Sequence, residues 1–179
     1  MMRSRSSLLR RARRIRLLVL DVDGVLTDGQ LLYGPRGEAL KRFDIHDGLA
    51  LVAWKKVGLF AAVLSGRRSS AVAHRMAELG IEAIYEGLKE KLPKYKAILD
   101  RFSCHDREVA VMGDDLTDLP LLARAGLAIA PANAVPEVKA QAHVVTRRGG
   151  GRGAVREAVE TILRAQGRWA SLVRGYQGR

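Results

Sequence analysis

The chain has 179 residues, enough for one α/β domain with a full core. Its one cysteine, Cys104, excludes an internal disulfide and fits a reducing, cytoplasmic setting, and no apolar run approaches the roughly 18–20 residues that a membrane span requires. The formal charge of +12 invites a nucleic-acid partner, but aromatics are only 5%, and Arg3, Arg5, Arg10, Arg11, Arg13, Arg14 and Arg16 concentrate much of the charge ahead of the first strand.

Residues 1–14 read as a basic arm, disordered or loosely helical, that could touch nucleic acid or an anionic membrane or simply stay solvated. No long apolar stretch makes it a secretory signal. Residues 15–166 read as a single domain and 167–179 as a tail.

The run 17–22, LLVLDV, is short and apolar and is followed at once by an Asp-Gly turn, the pattern of a buried strand. Asp21 and Asp23 stand at its C-terminal end, where open parallel sheets bind ligands. Two apart on an extended chain, both carboxylates can reach one site. Gly24 lets the backbone turn beside them. Carboxylates this close repel unless a cation such as Mg²⁺ lies between them. The competing reading of Asp-x-Asp-Gly is an ordinary Asx turn.

Residues 29–44 carry a turn, Gly34-Pro35-Arg36-Gly37, between two strand-like runs. This is a β-hairpin inserted directly after the first strand. It could cover the site, form a subunit contact or be a plain surface hairpin. His46-Asp47-Gly48 opens a helix with Asp47 as its cap and Leu49, Val52, Ala53 and Val57 on its apolar side. His46 reads as an exposed loop residue, since no second histidine stands at ligand spacing.

A second buried strand, 59–64, runs into Ser65-Gly66-Arg67. A hydroxyl and a glycine amide between strand and helix make an anion cradle, and Arg67 adds a planar fork for phosphate or carboxylate. The same tripeptide also serves as an ordinary helix N-terminal turn. An amphipathic helix over 69–79 carries Arg75, placed either at the pocket mouth or in solvent. A short strand over 81–85 leads through a loop to Lys91 and a helix over 92–102; Lys89, Lys91, Lys94 and Lys96 crowd here, and at most one should face the site.

The strand 108–112 ends in Gly113-Asp114-Asp115-Leu116-Thr117-Asp118. Three carboxylates so close are costly without a cation. Asp114 or Asp115 could complete an oxygen cage with Asp21 and the backbone at Asp23, and Asp118 could favour the helix dipole or orient a lysine. Strands over 127–130 and 143–146 follow. The glycine-rich loop 147–153 lacks the Gly-Lys-Ser/Thr of a nucleotide loop, and an amphipathic helix over 154–165 turns Val155, Val159, Ile162 and Leu163 inward.

Strands alternating with helices make an α/β, doubly wound, Rossmann-like parallel sheet with a small hairpin insertion and no large cap domain. The ordered set Asp21-Val22-Asp23-Gly24, Ser65-Gly66, Lys91 and Gly113-Asp114-Asp115 with Asp118 resembles the haloacid dehalogenase superfamily of phosphatases, in its capless subclass, from about residue 17 to 166. The stretches GEALKRFDIHDGLAL, YEGLKEKL, GDDLTDLPLL and RRGGGRGAVREAVETIL resemble the 3-deoxy-D-manno-octulosonate (KDO) 8-phosphate phosphatases of that superfamily, Mg²⁺-dependent homotetramers that act in lipopolysaccharide precursor synthesis.

The resemblance implies hydrolysis of a sugar-acid phosphate through an aspartyl-phosphate. Asp21 is then the nucleophile and Asp23 the proton donor and acceptor. Asp21, the Asp23 carbonyl and Asp114 hold Mg²⁺; Ser65 and Gly66 bind the phosphoryl oxygens. Lys91 neutralises charge, Asp118 and Asp115 stand behind these groups, and Arg67 and Arg75 meet the sugar acid. It also implies tetramer assembly through the hairpin and a structural role for the glycine-rich loop. A nine-carbon sialic-acid-type 9-phosphate is an alternative substrate with the same motifs; a non-catalytic binding protein using the basic arm is the alternative from another class.

Overall fold

The computed structural model describes residues 5–35 and 37–178. In chain order the elements are α1 (Arg5–Ala12), β1 (Leu17–Leu20), β2 (Leu32–Gly34), β3 (Gly37–Leu40), α2 (Ile45–Lys56), β4 (Phe60–Leu64), α3 (Ser70–Glu78), β5 (Ala83–Tyr85), α4 (Leu92–Phe102), β6 (Val109–Met112), α5 (Leu119–Leu122), β7 (Leu127–Ala130), α6 (Pro136–Gln141), β8 (Val144–Val145), α7 (Ala154–Ala165) and α8 (Trp169–Tyr176).

Six strands form one sheet in the order β5-β4-β1-β6-β7-β8, every pair parallel. β1 lies between β4 and β6, where the strand order reverses, so a crevice opens at its C-terminal end. Successive side chains along each strand point to opposite faces. Leu18 and Leu20 of β1, Val63 of β4, Met112 of β6 and Ile129 of β7 therefore join one core, packed with Leu51 and Trp54 of α2, Met76 of α3 and Val159 and Ile162 of α7. Leu17, Val19, Leu64, Val111 and Ala128 join the other, with Tyr95 and Ile98 of α4, Leu121 of α5 and Val138 of α6. Each large side chain sealed this way contributes about 1.5–3 kcal/mol. The antiparallel hairpin β2–β3 follows β1, and no large cap domain is present among the described residues.

Several expectations change. The arm expected over 1–14 is helical over its described part: α1 docks through Ala12 and Ile15, each 1% exposed, and the Arg11 guanidinium donates to the Gly126 carbonyl. The expected tail over 167–179 contains α8, which buries Trp169 and Leu172 on the same core. α2 is capped by Asp44, whose carboxylate accepts from the His46 and Asp47 amides, rather than by Asp47. Its buried face is Ala50, Leu51, Ala53 and Trp54, while Leu49 and Val52 are exposed. His46 lies in the first turn of that helix, its side chain exposed. Several strands are shorter than read: β1 ends at Leu20, β4, β5 and β6 begin at Phe60, Ala83 and Val109, and β8 spans only Val144 and Val145. Among the described residues, no helix is long and apolar enough to cross a membrane.

Candidate active site

The site forms where β1, β4 and β6 end. The Asp21 amide makes the last ladder bond, to the Met112 carbonyl at 3.0 Å. The chain then turns sharply: the Val22 carbonyl accepts from the amides of Val25, Leu26 and Thr27. Gly24 sits in this turn at φ +87°, and a Cβ there would overlap the Asp114 carboxylate, so both conformation and space demand glycine.

Lys91 caps α4, its side chain 5% exposed, and its ammonium lies 2.8 Å from Asp21 Oδ1 and 2.7 Å from Asp118 Oδ1. The other Asp118 oxygen accepts from the amides of Asp114 (3.0 Å) and Asp115 (3.4 Å). Asp118 thereby ties Lys91 to the loop after β6. Asp115 is a cap, accepting from the Leu116 amide at 2.7 Å, and stands at the surface side of this loop.

Asp21, Asp114 and Asp118 each offer an oxygen within 4.8 Å of the others. Burial pushes the Asp21 carboxyl up to about 6, with Asp118 adding to the rise and Lys91 opposing it. Burial also pushes Asp114 up to about 8, reinforced by Asp21, Asp118 and Asp115. Burial works against the Lys91 ammonium, but Asp21 and Asp118 outweigh it and hold its pKa above the ordinary lysine value. One ammonium thus faces three carboxylates, and Asp114 Oδ1 is buried with no hydrogen-bond partner. An orphaned, all-oxygen donor set of this kind suits a hard divalent cation such as Mg²⁺.

Asp23 turns elsewhere. Its side chain is absent from the three-carboxylate cluster, where Asp118 stands instead. Asp23 Oδ1 pairs with the Lys41 ammonium, and Oδ2 lies 3.9 Å from Arg67 Nε. The Arg67 guanidinium also donates to the Tyr33 hydroxyl of the hairpin at 2.7 Å. Ser65 is buried at the end of β4, its own amide bonded to the Tyr85 carbonyl and its hydroxyl accepting from the Arg67 amide at 3.2 Å. Around Gly66 there is open space, the nearest atom to a built Cβ being the Leu88 carbonyl oxygen at 3.6 Å. Arg75 is not drawn into this cluster: it pairs with Glu78 at 3.0 Å and packs over Gly48. It lines a neighbouring cleft of about 470 Å³ together with Lys41, Phe43, Ser70 and His74.

Three contributors escaped the sequence reading. Lys41 follows the short strand β3 and belongs to no spacing motif. Asn133 donates to the Gly24 carbonyl at 2.9 Å and accepts from the Gly150 amide at 2.6 Å, locking the glycine-rich loop onto the Asp-x-Asp-Gly turn. Asp47 is buried and accepts from the amides of Gly153 (3.2 Å) and Arg156 (2.7 Å), so it caps α7 from α2. The sequence singled Asp47 out as the cap of its own helix, and what escaped was its role on α7.

Residues 69–156 match the model of the haloacid dehalogenase-like hydrolases. The chain is 43% identical over 158 residues to the 3-deoxy-D-manno-octulosonate 8-phosphate phosphatase of Yersinia pestis, covering 88% of this chain and 84% of that protein. The chain belongs to this phosphatase family. Its enzymatic class is therefore that of a phosphoric monoester hydrolase. A solved family member from Moraxella catarrhalis, in complex with magnesium, phosphate and KDO, superposes with a TM-score of 0.93 at 35% identity, covering 97% of this chain and 99% of that one. A cobalt-bound family member from Haemophilus influenzae superposes with a TM-score of 0.87 at 39% identity, covering 89% and 94%.

Proposed function

We propose that this protein is an Mg²⁺-dependent phosphatase that hydrolyses KDO 8-phosphate to KDO and phosphate through an aspartyl-phosphate on Asp21. The observation that carries the mechanism is the Lys91 ammonium set between Asp21 and Asp118 beside an Asp114 oxygen with no partner. Family membership at 43% identity carries the substrate.

Asp21, Asp114 and the Asp23 carbonyl are the groups that would hold Mg²⁺. When bound, the ion offsets the repulsion between nucleophile and phosphate and stabilises spreading charge. Lys91 anchors Asp21 through Oδ1 and adds a positive charge beside the incoming phosphate. Asp21 Oδ2 attacks phosphorus, and the bond to the sugar oxygen breaks. Asp23, entering this step as the carboxylic acid, gives its proton to that oxygen. In the second half, Asp23 takes a proton from water as the water oxygen attacks the aspartyl-phosphate, releasing phosphate and restoring the Asp21 carboxylate. Ser65 and the Gly66 amide bind phosphoryl oxygens, and Arg67 meets the sugar carboxylate; Arg75 would reach it only by giving up its pairing with Glu78. Asp118 positions Lys91, and Asp115 shapes the loop behind it.

We further propose a homotetramer that assembles through the hairpin. Leu32, Tyr33 and Leu40 of the hairpin are exposed, as are Ile45, Leu49 and Val52 of α2, a helical stripe of apolar residues facing outward. The reducing cytoplasm is the compartment we assign, in keeping with the unpaired Cys104 thiol.

The test is phosphate release from a panel of sugar phosphates with and without Mg²⁺, with Asp21→Asn as the blank. A metal-dependent preference for KDO 8-phosphate is expected, with Asp21→Asn folded and inactive. Better turnover of a nine-carbon sugar-acid phosphate would move the substrate and keep the mechanism. Retained activity in Asp21→Asn would overturn the mechanism.

A further inference from the structure

The carboxylates of the site are not held alike. Asp21 is fixed by Lys91, and Asp118 by Lys91 and two backbone amides. Asp23 follows the turn after β1, and its two oxygens are addressed by two different cations from two different elements: Lys41 at Oδ1 and Arg67 at Oδ2. Lys41 is the closer of the two and the more deeply set, its side chain 1% exposed against 43% for Arg67. Burying an ammonium is costly, and the cost is offset only where a fixed anion meets it. A lysine needed merely for solubility would not be enclosed.

Lys41 also belongs to a specific piece of the fold. It directly follows β3, the second strand of the hairpin, while Tyr33 on the first strand receives the Arg67 guanidinium on its hydroxyl. Both groups that bracket Asp23 are therefore carried or steadied by the hairpin. Without that bracket the Asp23 carboxylate would be free to rotate about its side-chain torsions, and an acid/base group misplaced by about 1 Å costs on the order of 10²-fold in rate.

We propose that Lys41 is a positioning residue for this reaction: from the hairpin it holds the Asp23 carboxylate aimed at the leaving-group oxygen. The proposal rests on the phosphatase reading above, in which Asp23 moves the proton. It extends that reading by giving the hairpin of each subunit a task inside its own active site. Lys41 acts through Asp23, so its loss weakens proton delivery and leaves phosphate binding and nucleophilic attack in place.

The experiment compares Lys41→Met and Lys41→Gln with wild type on two substrates. KDO 8-phosphate has a sugar alkoxide that must be protonated to leave; p-nitrophenyl phosphate has a stabilised phenolate that leaves without a proton. Both variants are expected to lose kcat on KDO 8-phosphate by about 10²-fold, with little change in KM. On p-nitrophenyl phosphate the pre-steady-state burst of nitrophenolate should keep its rate, because that step needs no proton from Asp23, while steady-state turnover falls through the second half-reaction; Lys41→Arg should recover part of the activity. A p-nitrophenolate burst slowed as much as the release of KDO would mark a general structural role and overturn the proposal. A change confined to KM would make Lys41 a substrate contact instead, and unchanged kinetics would also overturn it. Thermal midpoints identify a variant that misfolds, in which case the remaining variants decide. Wild-type inactivity on both substrates would instead bring down the phosphatase reading itself.

Discussion

Lys91 Nζ lies 2.7 Å from Asp118 Oδ1, and this buried pair decides where the ammonium that meets Asp21 can point. Asp118 is itself pinned by the amides of Asp114 and Asp115, so the loop after β6 fixes a lysine that belongs to α4. Replacing Lys91 by Met leaves two carboxylates without their cation. Turnover should fall by more than about 10²-fold, and the unpaired buried charge should cost about 3 kcal/mol of stability. Lys89 is exposed, and Lys89→Ala should change neither quantity. Steady-state kinetics and urea unfolding of the two variants check this.

Cation binding should be linked to protons. Asp114 without a metal has a carboxyl raised to about 8, first by burial and then by its acidic neighbours. A divalent cation must displace that proton, so affinity should fall as pH drops below about 8, approaching tenfold per unit. Titration calorimetry with Mg²⁺ in two buffers of different ionisation enthalpy should show proton release at pH 7. Asp114→Asn should lose both the release and most of the affinity.

Gly24 cannot be enlarged. Its φ of +87° disfavours any L side chain, and the space a Cβ needs is filled by the Asp114 carboxylate. Gly24→Ala should abolish metal-dependent turnover by displacing Asp114, and should cost at least about 1 kcal/mol through backbone strain. Phosphatase assays and thermal unfolding are the checks. A fully active Gly24→Ala enzyme would contradict the packing described.

Asp47 should matter to the fold and not to the chemistry. It caps α7 from a distance in sequence, and Asp47→Ala should cost roughly 1–2 kcal/mol with kcat unchanged. Burial raises its carboxyl to about 6, with Asp44 adding to the rise. A raised carboxyl favours the folded state below its unfolded value of 3.8, and that contribution is lost as pH rises through about 6. The cost of Asp47→Ala should therefore be larger at pH 5 than at pH 7, as denaturant unfolding at the two pH values would show.

Much of this architecture was legible because short apolar runs ending in Asp, Ser or Gly-Asp mark strands whose C-terminal ends carry chemistry. β1, β4 and β6 follow that pattern closely, while β7 and the helix α7 were read from their apolar residues alone. What was not legible depends on contacts between distant segments. In α2 both faces carry apolar residues, so periodicity alone could not choose Leu51 and Trp54 over Leu49 and Val52. α1 carries three arginines in eight residues, and the packing of Leu8, Ala12 and the following Ile15 on the core is not apparent from so basic a stretch. Lys41 carries no signal of its own in the sequence, since nothing local shows that a hairpin folds it back onto Asp23. Asp23 and Asp118 both lie near the cluster, but which carboxylate turns inward is settled by the cations that meet each of them.

The fit between Gly24 and Asp114 has a consequence for how such a sequence can change over generations. The Asp-x-Asp-Gly turn and the Gly-Asp-Asp loop stand some ninety positions apart in the chain, yet the missing side chain of one is the seat of the other. Gly113 stands in the same relation to Asp118, and Gly150 to the Gly24 carbonyl. Substitution at any of these glycines is blocked by a partner that must itself stay, so the separate signatures form one interlocked unit of inheritance. A lineage that gave up the acid at 114 would lift the steric half of the demand for glycine at 24, and the +87° backbone angle alone would then hold it there.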